Sequence, residues 1–172
     1  MHQDELKQLL TAFTAERLAL LQRHEAGARV VSNYDFNNTY QYVINREETQ
    51  LGWLENALAD LGLPLPAPAS TLPVPELPKQ TPKRGQEAAP AIFRPVLDDD
   101  ARGLGDFVAR WRDRVRTMTH ARHRIMLDVI LGESLEHKRL FEQAAAGLED
   151  LLGRRTGAVP RVGEVLPTRW LE

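Results

Sequence analysis

The chain contains no cysteine among its 172 residues. This absence excludes disulfide bonds, thiolate metal ligands and cysteine nucleophiles, and it agrees with a reducing compartment without requiring one. Long apolar runs are also absent, since none approaches the ~20 residues of a membrane span. The N-terminal MHQDELKQLL has acidic residues where a secretory signal needs basic ones. We therefore expect a soluble, cytoplasmic protein with no membrane partner.

An excess of positive charge is missing as well, because the formal net charge is −2. A general nucleic-acid binder needs many cationic contacts to phosphates, so we expect no nucleic-acid partner. One local excess of arginine lies around the third predicted helix. It suits an acidic partner, but a solvated face that pairs with acidic residues of neighbouring helices is the simpler interpretation. These arginines are Arg102, Arg110, Arg112, Arg114, Arg116, Arg122 and Arg124.

Proline is nearly absent outside one segment. Nine of the eleven prolines lie between Pro64 and Pro95, where each removes a backbone donor and disfavours helix in the preceding residue. We therefore predict a connector without helix over about 62–97, between two helical halves. Its LPLPAP and LPVPELP stretches suit a proline-reading domain, but a crossover held to the protein by its leucines is the simpler interpretation.

Hydrophobic periodicity predicts two helices in each half. The run Asp98–Asp100 suits the start of the third helix, as caps and as charges that oppose the helix dipole. Gly153 suits the end of the fourth helix, whose apolar row would then include Leu148 and Leu151. The predicted helices cover about 3–28, 36–61, 98–118 and 120–152, and a C-terminal tail covers 153–172.

Four amphipathic helices with one long link specify an all-α four-helix bundle. The short links make two antiparallel hairpins, and a polyproline-like crossover with a rise of about 3.1 Å per residue can run the length of a bundle. Two separate hairpins on a disordered linker are the alternative, but each hairpin would leave its apolar face in water. We therefore predict a single domain over 1–172.

Polar residues interrupt the apolar rows of three helices near their midpoints. Ser134 and His137 interrupt the fourth helix, Glu47 and Gln50 interrupt the second, and Glu16 interrupts the first. A bundle would bring these positions to one level of its interior. Because buried carboxylates are costly when unpaired, several at one level need a metal ion, a proton or a hydrogen-bond network.

This pattern resembles the ferritin-like superfamily, the rubrerythrins and their relatives. Bundles of that group carry a carboxylate on one helix and a Glu-x-x-His on the next, twice over. The resemblance covers about 3–61 and about 98–152, and EHKRLFE in the fourth helix is the closest match. It implies that Glu16 matches the first carboxylate, that Glu47 and Gln50 occupy the first Glu-x-x-His, and that Ser134 and His137 occupy the second.

The chain departs from the family pattern at three of the six ligand positions. Gln50 replaces a histidine, Ser134 replaces a glutamate, and Gly103 occupies the place of the carboxylate on the third helix. Asp100 is an alternative carboxylate for that helix, but its role as a cap is the simpler interpretation. Bridging carboxylates for two irons are therefore lacking. One divalent ion, such as Fe, Mn or Zn, suits the remaining donors with water or Gln50. The donors that remain are Glu16, Glu47 and His137.

A polar network without metal is the favoured interpretation of these residues and the single ion is its alternative; in the network, Glu47 and Gln50 bond His137, Ser134 and Tyr40 across the core. A general-acid pair of Glu16 and Glu47 is a weaker interpretation, since no substrate pocket is evident. The leading function is a non-catalytic structural or partner-binding bundle, and a mononuclear metalloprotein with redox or oxygen-linked activity is the alternative. The apolar tail GEVLPTRWLE and the arginine-rich third helix predict a homodimer, and any other protein partner is unidentified.

Overall fold

Four long helices form an antiparallel bundle. The computed structural model describes residues 3–77 and 89–153, and within these ranges there is no β-strand. The predicted all-α class and four-helix architecture are therefore confirmed. The helices are α1 (Gln3–Val30), α2 (Tyr34–Ala59), α3 (Arg94–Arg116) and α4 (Ala121–Ala145), and a 3-10 turn over Pro90–Phe93 precedes α3.

The helices pack as two hairpins, α1 with α2 and α3 with α4, and the hairpins join through contacts of α1 with α3 and of α2 with α4. One apolar core draws on all four helices. It includes Phe13, Leu54, Leu104 and Leu127, which are all buried. None of the helices in the described ranges is long and apolar enough to cross a membrane.

The described part of the crossover lies along the bundle. Residues 63–77 contain no helix, and the Ala69 N–H donates to the Ala15 carbonyl at 2.8 Å. Val74 and Leu77 pack against the core. Backbone and side-chain contacts therefore hold this proline-rich stretch against α1 and its neighbours.

The start of the third helix differs from the prediction. Helix α3 begins at Arg94, with Pro95 in its first turn, and not at the run Asp98–Asp100. Proline favours the first position of a helix because its missing N–H would have no partner there. Asp100 consequently lies inside the helix and is 2% exposed, so the predicted capping role is wrong for this residue.

The fourth helix also ends earlier than predicted, at Ala145 and not near Leu152. Gly147 has a φ of 85°, its N–H donates to the Ala144 carbonyl, and the Leu148 N–H donates to the Gln143 carbonyl at 3.0 Å. This is the Schellman arrangement, in which a left-handed glycine closes a helix. Leu148 is exposed, so it does not continue the buried row. Most of the predicted tail, 154–172, lies outside the described residues.

Candidate functional site

A set of buried polar side chains from all four helices meets inside the bundle, and we call it the core polar cluster. Each member is less than a tenth exposed, which requires partners for the charged groups. Its members are Arg17, Arg23, His24, Tyr40, Glu47, Gln50, Asp100, Ser134 and His137.

Arg17 on α1 lies at the centre of this cluster. Its Nη2 donates to Gln50 Oε1 at 2.6 Å and lies 3.1 Å from Glu47 Oε1. Burial lowers the pKa of Arg17, and the carboxylates of Glu47 and Glu133 oppose this effect. An arginine starts from a pKa so high that it stays charged at neutral pH. A fixed positive charge therefore occupies the core beside Glu47.

Glu47 on α2 is completely buried and accepts from two α1 side chains. The Nδ1 of His24 lies 2.9 and 2.8 Å from the two carboxylate oxygens of Glu47. Burial by itself raises the pKa of Glu47, but Arg17, His24 and His137 outweigh it and hold that pKa below its usual value. Because an ionised carboxylate only accepts, Nδ1 of His24 carries the proton in this pair.

A second buried carboxylate, Asp100 on α3, lies on the other side of His24. The Nε2 of His24 is 3.8 Å from Asp100 Oδ1, and Nη1 of Arg23 is 3.2 Å from the same oxygen. The Tyr40 hydroxyl donates to Asp100 Oδ2. Burial raises the pKa of Asp100, and His24 and Arg23 oppose the rise. Each buried carboxylate thus has its own arginine, with His24 between them.

The cluster reaches the surface on two sides. Towards α4, the Gln50 amide donates to Glu133, which also pairs with Arg46 at 2.6 Å. Burial raises the pKa of Glu133, but the hydrogen bonds from Arg46 and Gln50 prevail and lower it. Towards the crossover, Arg23 donates to the partly exposed Asp99 at 3.3 Å. The arrangement is a charge-paired network across the whole bundle.

A cavity of about 400 Å³ adjoins this second side, between the crossover and helices α1 and α3. Leu20 and Val74 form apolar parts of its wall, while Arg23 and Asp99 form polar parts. The buried atoms Nη1 of Arg23 and Oδ1 of Asp100 face each other as an ion pair. The cavity therefore lies beside a buried ion pair, whose two atoms make no hydrogen bond within the described residues.

The two polar residues on the buried row of α4 have different partners. Ser134 donates its hydroxyl to the Ile130 carbonyl of its own helix at 2.7 Å. His137 is 1% exposed, and its ring meets Tyr42 edge-on. Among the described residues, its Nδ1 has no hydrogen-bond partner. Burial lowers the pKa of His137 to about 4, with Glu47 partly opposing this shift. His137 is therefore a neutral side chain at neutral pH.

Glu16 does not join Glu47 and His137. It accepts hydrogen bonds from Trp111 Nε1 at 3.0 Å and from Arg110 Nε at 3.1 Å, and it is 29% exposed. The next residue, Arg17, faces the core in its place. The interior placement predicted for Glu16 was therefore wrong, because the interior face of α1 at this level is one residue further along.

The third helix supplies a carboxylate from a different position than expected. A Cβ added at Gly103 would lie 3.5 Å from Leu20 Cδ2, beside apolar surface and away from Glu47. Asp100, almost one turn earlier, carries the buried carboxylate instead. Asp100 is therefore the carboxylate that α3 contributes, which was the alternative to its predicted role as a cap.

The residues present do not fit a dimetal centre. Two arginines already balance the two buried carboxylates, since Arg17 pairs with Glu47 and Arg23 pairs with Asp100. Over residues 3–77 and 89–153, no group of three or more His, Cys, Asp or Glu side chains is arranged to hold a metal ion. Arg17 and His24 lie with Leu10, Thr14 and Leu21 in steps of three and four, but the row of Glu16 has the same spacing, so spacing alone does not single them out.

Comparisons with known proteins identify the fold. A crystal structure described as "ferritin like, diiron-carboxylate proteins" from Bacillus anthracis str. Ames superposes with a TM-score of 0.61. The match covers 84% of this chain and 99% of that chain at 14% sequence identity. No protein-family model and no curated protein sequence matches the chain. The ferritin-like four-helix fold is therefore confirmed, while an identity this low says nothing about activity.

Proposed function

We propose that this ferritin-like bundle is a non-catalytic structural or partner-binding protein whose core is held by an internal arginine and not by a metal ion. The observation that carries the proposal is Arg17, whose buried guanidinium lies 3.1 Å from Glu47 and donates to Gln50. A fixed cation beside Glu47 satisfies that carboxylate and repels any metal ion that approaches it.

The same contacts disfavour acid–base catalysis by Glu16 and Glu47. Glu16 bonds to Trp111 and Arg110 near the surface, whereas Glu47 is completely buried among Arg17 and His24. A general acid must come within hydrogen-bond reach of its substrate, and Glu47 is 0% exposed in the part of the chain that the structure describes. Its charge serves to hold the helices together.

A mononuclear metalloprotein is the second candidate, with Fe, Mn or Zn as the ion. Two observations favour it: the buried Nδ1 of His137 has no hydrogen-bond partner within residues 3–77 and 89–153, and His137 interacts electrostatically with Glu47. In this version Glu47 and His137 hold the ion. Glu16 contributes nothing, because Trp111 and Arg110 engage its carboxylate.

Metal content and melting temperature separate the two candidates. The wild-type protein is purified without chelator, and its metals are measured together with its melting temperature in Fe²⁺, Mn²⁺ or Zn²⁺. We expect no stoichiometric metal and no stabilisation, because a ligand that binds only the folded state would raise the melting temperature. Stoichiometric metal that is lost in His137→Ala would select the metalloprotein.

A pair of arginine variants tests the role of Arg17 directly. Arg17→Ser removes the cation beside Glu47, so we expect Zn²⁺ or Mn²⁺ to stabilise this variant although it does not stabilise the wild type. Arg23→Ser is the matched control, because it also removes a buried arginine but leaves Glu47 paired. If the Arg17→Ser protein folds and neither Zn²⁺ nor Mn²⁺ raises its melting temperature, Arg17 does not take the place of a metal ion.

A further inference from the structure

One face of α4 carries exposed apolar residues between two opposite charges. Ile125 and Val129 are 60% and 43% exposed, and they lie one turn apart on the same side of the helix. Arg122 lies on one side of them, and Gly132 and Glu136 lie on the other. Steps of three and four place all of these residues on one stripe. We call Arg122, Ile125, Val129, Gly132 and Glu136 the α4 stripe.

The charges of the α4 stripe are arranged symmetrically about its centre. Arg122 lies seven residues before Val129, and Glu136 lies seven residues after it. Both side chains are mostly exposed, at 76% and 65%. An antiparallel copy related by a two-fold axis through Val129 would bring each Arg122 opposite a Glu136, twice in one contact.

The α4 stripe is complementary to itself in shape as well as in charge. Ile125 projects into solvent, whereas a Cβ added at Gly132 would meet nothing within 4 Å. Antiparallel pairing about Val129 places residue 125 of one copy opposite residue 133 of the other, so the Ile125 side chain lies one residue along the helix from the Gly132 gap. The same surface therefore supplies both the projecting group and the space that receives it, which is what an isologous contact requires.

We propose that the α4 stripe binds a second copy of this chain in an antiparallel homodimer. The inference rests on the partner-binding role proposed above, and it names the partner. Arg122 now pairs with Asp60 at 3.3 Å, and Glu136 pairs with Arg139 at 2.8 Å. These exposed pairs contribute little to stability, so both side chains are available to exchange partners on association.

The size of the contact sets its strength. One stripe of a single helix from each copy lies at the small end of specific interfaces, so the dimer dissociates on dilution. Sedimentation equilibrium over a range of concentrations measures this. The wild type is expected to pass reversibly from monomer to dimer as its concentration rises.

Val129→Glu tests the centre of the stripe, because it places two carboxylates against each other at the two-fold axis. We expect this variant to stay monomeric and to melt at the same temperature as the dilute, monomeric wild type, since Val129 is exposed in the monomer. Val30→Glu is the matched control, because Val30 is 39% exposed but lies at the end of α1. It should associate like the wild type.

Charge reversal gives a sharper test. Arg122→Glu alone and Glu136→Arg alone should each weaken association by roughly tenfold, because each creates two like-charge contacts. An equimolar mixture of these two single variants should form a mixed dimer, and the double variant R122E/E136R should recover the wild-type affinity. A change that merely perturbed the helix would show neither recovery.

Several results overturn the proposal. A wild type that remains monomeric at the highest concentration reached, or a dimer that Val129→Glu leaves intact, excludes this interface. If Val129→Glu lowers the melting temperature of a monomeric wild type, the stripe is covered within the chain and not by a second copy. None of these results alters the metal content, so failure here is distinct from failure of the arginine-held core.

Discussion

The interior of the bundle contains an apolar layer around Phe13 and, next to it along α1, a polar layer around Glu47. In the apolar layer, the ring of Phe13 lies 5.0 Å from that of Phe107 and 5.2 Å from that of Trp111. In the polar layer, Glu47 and Asp100 are buried between Arg17, Arg23 and His24. The Arg17 guanidinium lies over the Phe107 ring and so adjoins both layers.

The two layers stabilise the same fold through different interactions. The apolar layer depends on the shape and the area of buried side chains, and its contribution to the free energy of unfolding does not vary with protonation. The polar layer depends on a balance of charges, in which every buried carboxylate needs its cation. Substitutions in the two layers should therefore lower the free energy of unfolding by similar amounts, but the size of the loss should depend on pH only in the polar layer.

The largest expected losses of stability come from truncating one residue in each layer. Arg17→Ala should lower the free energy of unfolding by about 3–5 kcal/mol, because Glu47 loses its buried counter-charge. Phe13→Ala should cost a similar ~3–5 kcal/mol through the cavity it leaves. Denaturant unfolding of both variants and the wild type, at pH 8 and at pH 5, measures the losses.

The pH dependence is the decisive part of that experiment. Without Arg17, the buried Glu47 has a pKa raised above its unfolded value, so the loss should be greatest at pH 8 and should shrink towards pH 5 as Glu47 gains a proton. The loss in Phe13→Ala should be equal at both pH values. An Arg17→Ala loss that is independent of pH would mean that the guanidinium acts only by filling space.

His137 gives the polar layer a second source of pH dependence, because it carries no charge at neutral pH although it lies among charged groups. Its pKa of about 4 lies below the usual 6.5, and the groups that act on it are Glu47, Arg17, His24 and Glu133. As the pH falls, His137 therefore binds its proton in the unfolded chain before it does so in the folded one. The free energy of unfolding should fall by about 3 kcal/mol between pH 6.5 and pH 4, since each pKa unit is worth ~1.4 kcal/mol.

The variant His137→Gln isolates this contribution, since glutamine stays neutral throughout. The difference between wild type and variant should narrow or reverse as the pH falls from 6.5 to 4. Glu47 has a pKa below its usual value, so its own contribution is lost only at lower pH. A difference that is constant across this window would contradict a buried, neutral His137.

Sequence periodicity predicted most of the fold because the helices and the crossover are set by local signals that agree with one another. Apolar rows marked four helices, and the prolines marked the one stretch that no helix crosses. The run Asp98–Asp100 misled the prediction, since Pro95 carries the same type of start signal one turn earlier. Gly147 likewise ended α4 before Gly153, because the first glycine that closes a Schellman arrangement ends the helix.

The core polar cluster was predictable only in part. Glu47, Gln50, Ser134 and His137 lie on narrow apolar rows, and all four are buried. Helix α1 buries a much wider face, so its rows are only one residue apart and periodicity cannot choose between Glu16 and Arg17. The choice depends on partners from other helices. Glu47 attracts a cation, and Trp111 offers a donor to an acceptor, neither of which the sequence of α1 contains.

The smallest expected change in stability tests whether Glu16 belongs to the surface and Arg17 to the core. Glu16→Gln should change the free energy of unfolding by less than about 1 kcal/mol, because Glu16 is partly exposed and its pairing with Arg110 is screened by solvent. Glutamine also keeps an acceptor for Trp111 Nε1, which is the less exposed of the two contacts. Denaturant unfolding measures the change, with Glu47→Gln as the comparison inside the core. Glu47→Gln should cost more, because it leaves the buried Arg17 without its counter-charge. If the two glutamine variants lose the same stability, the boundary between surface and core does not fall between Glu16 and Arg17.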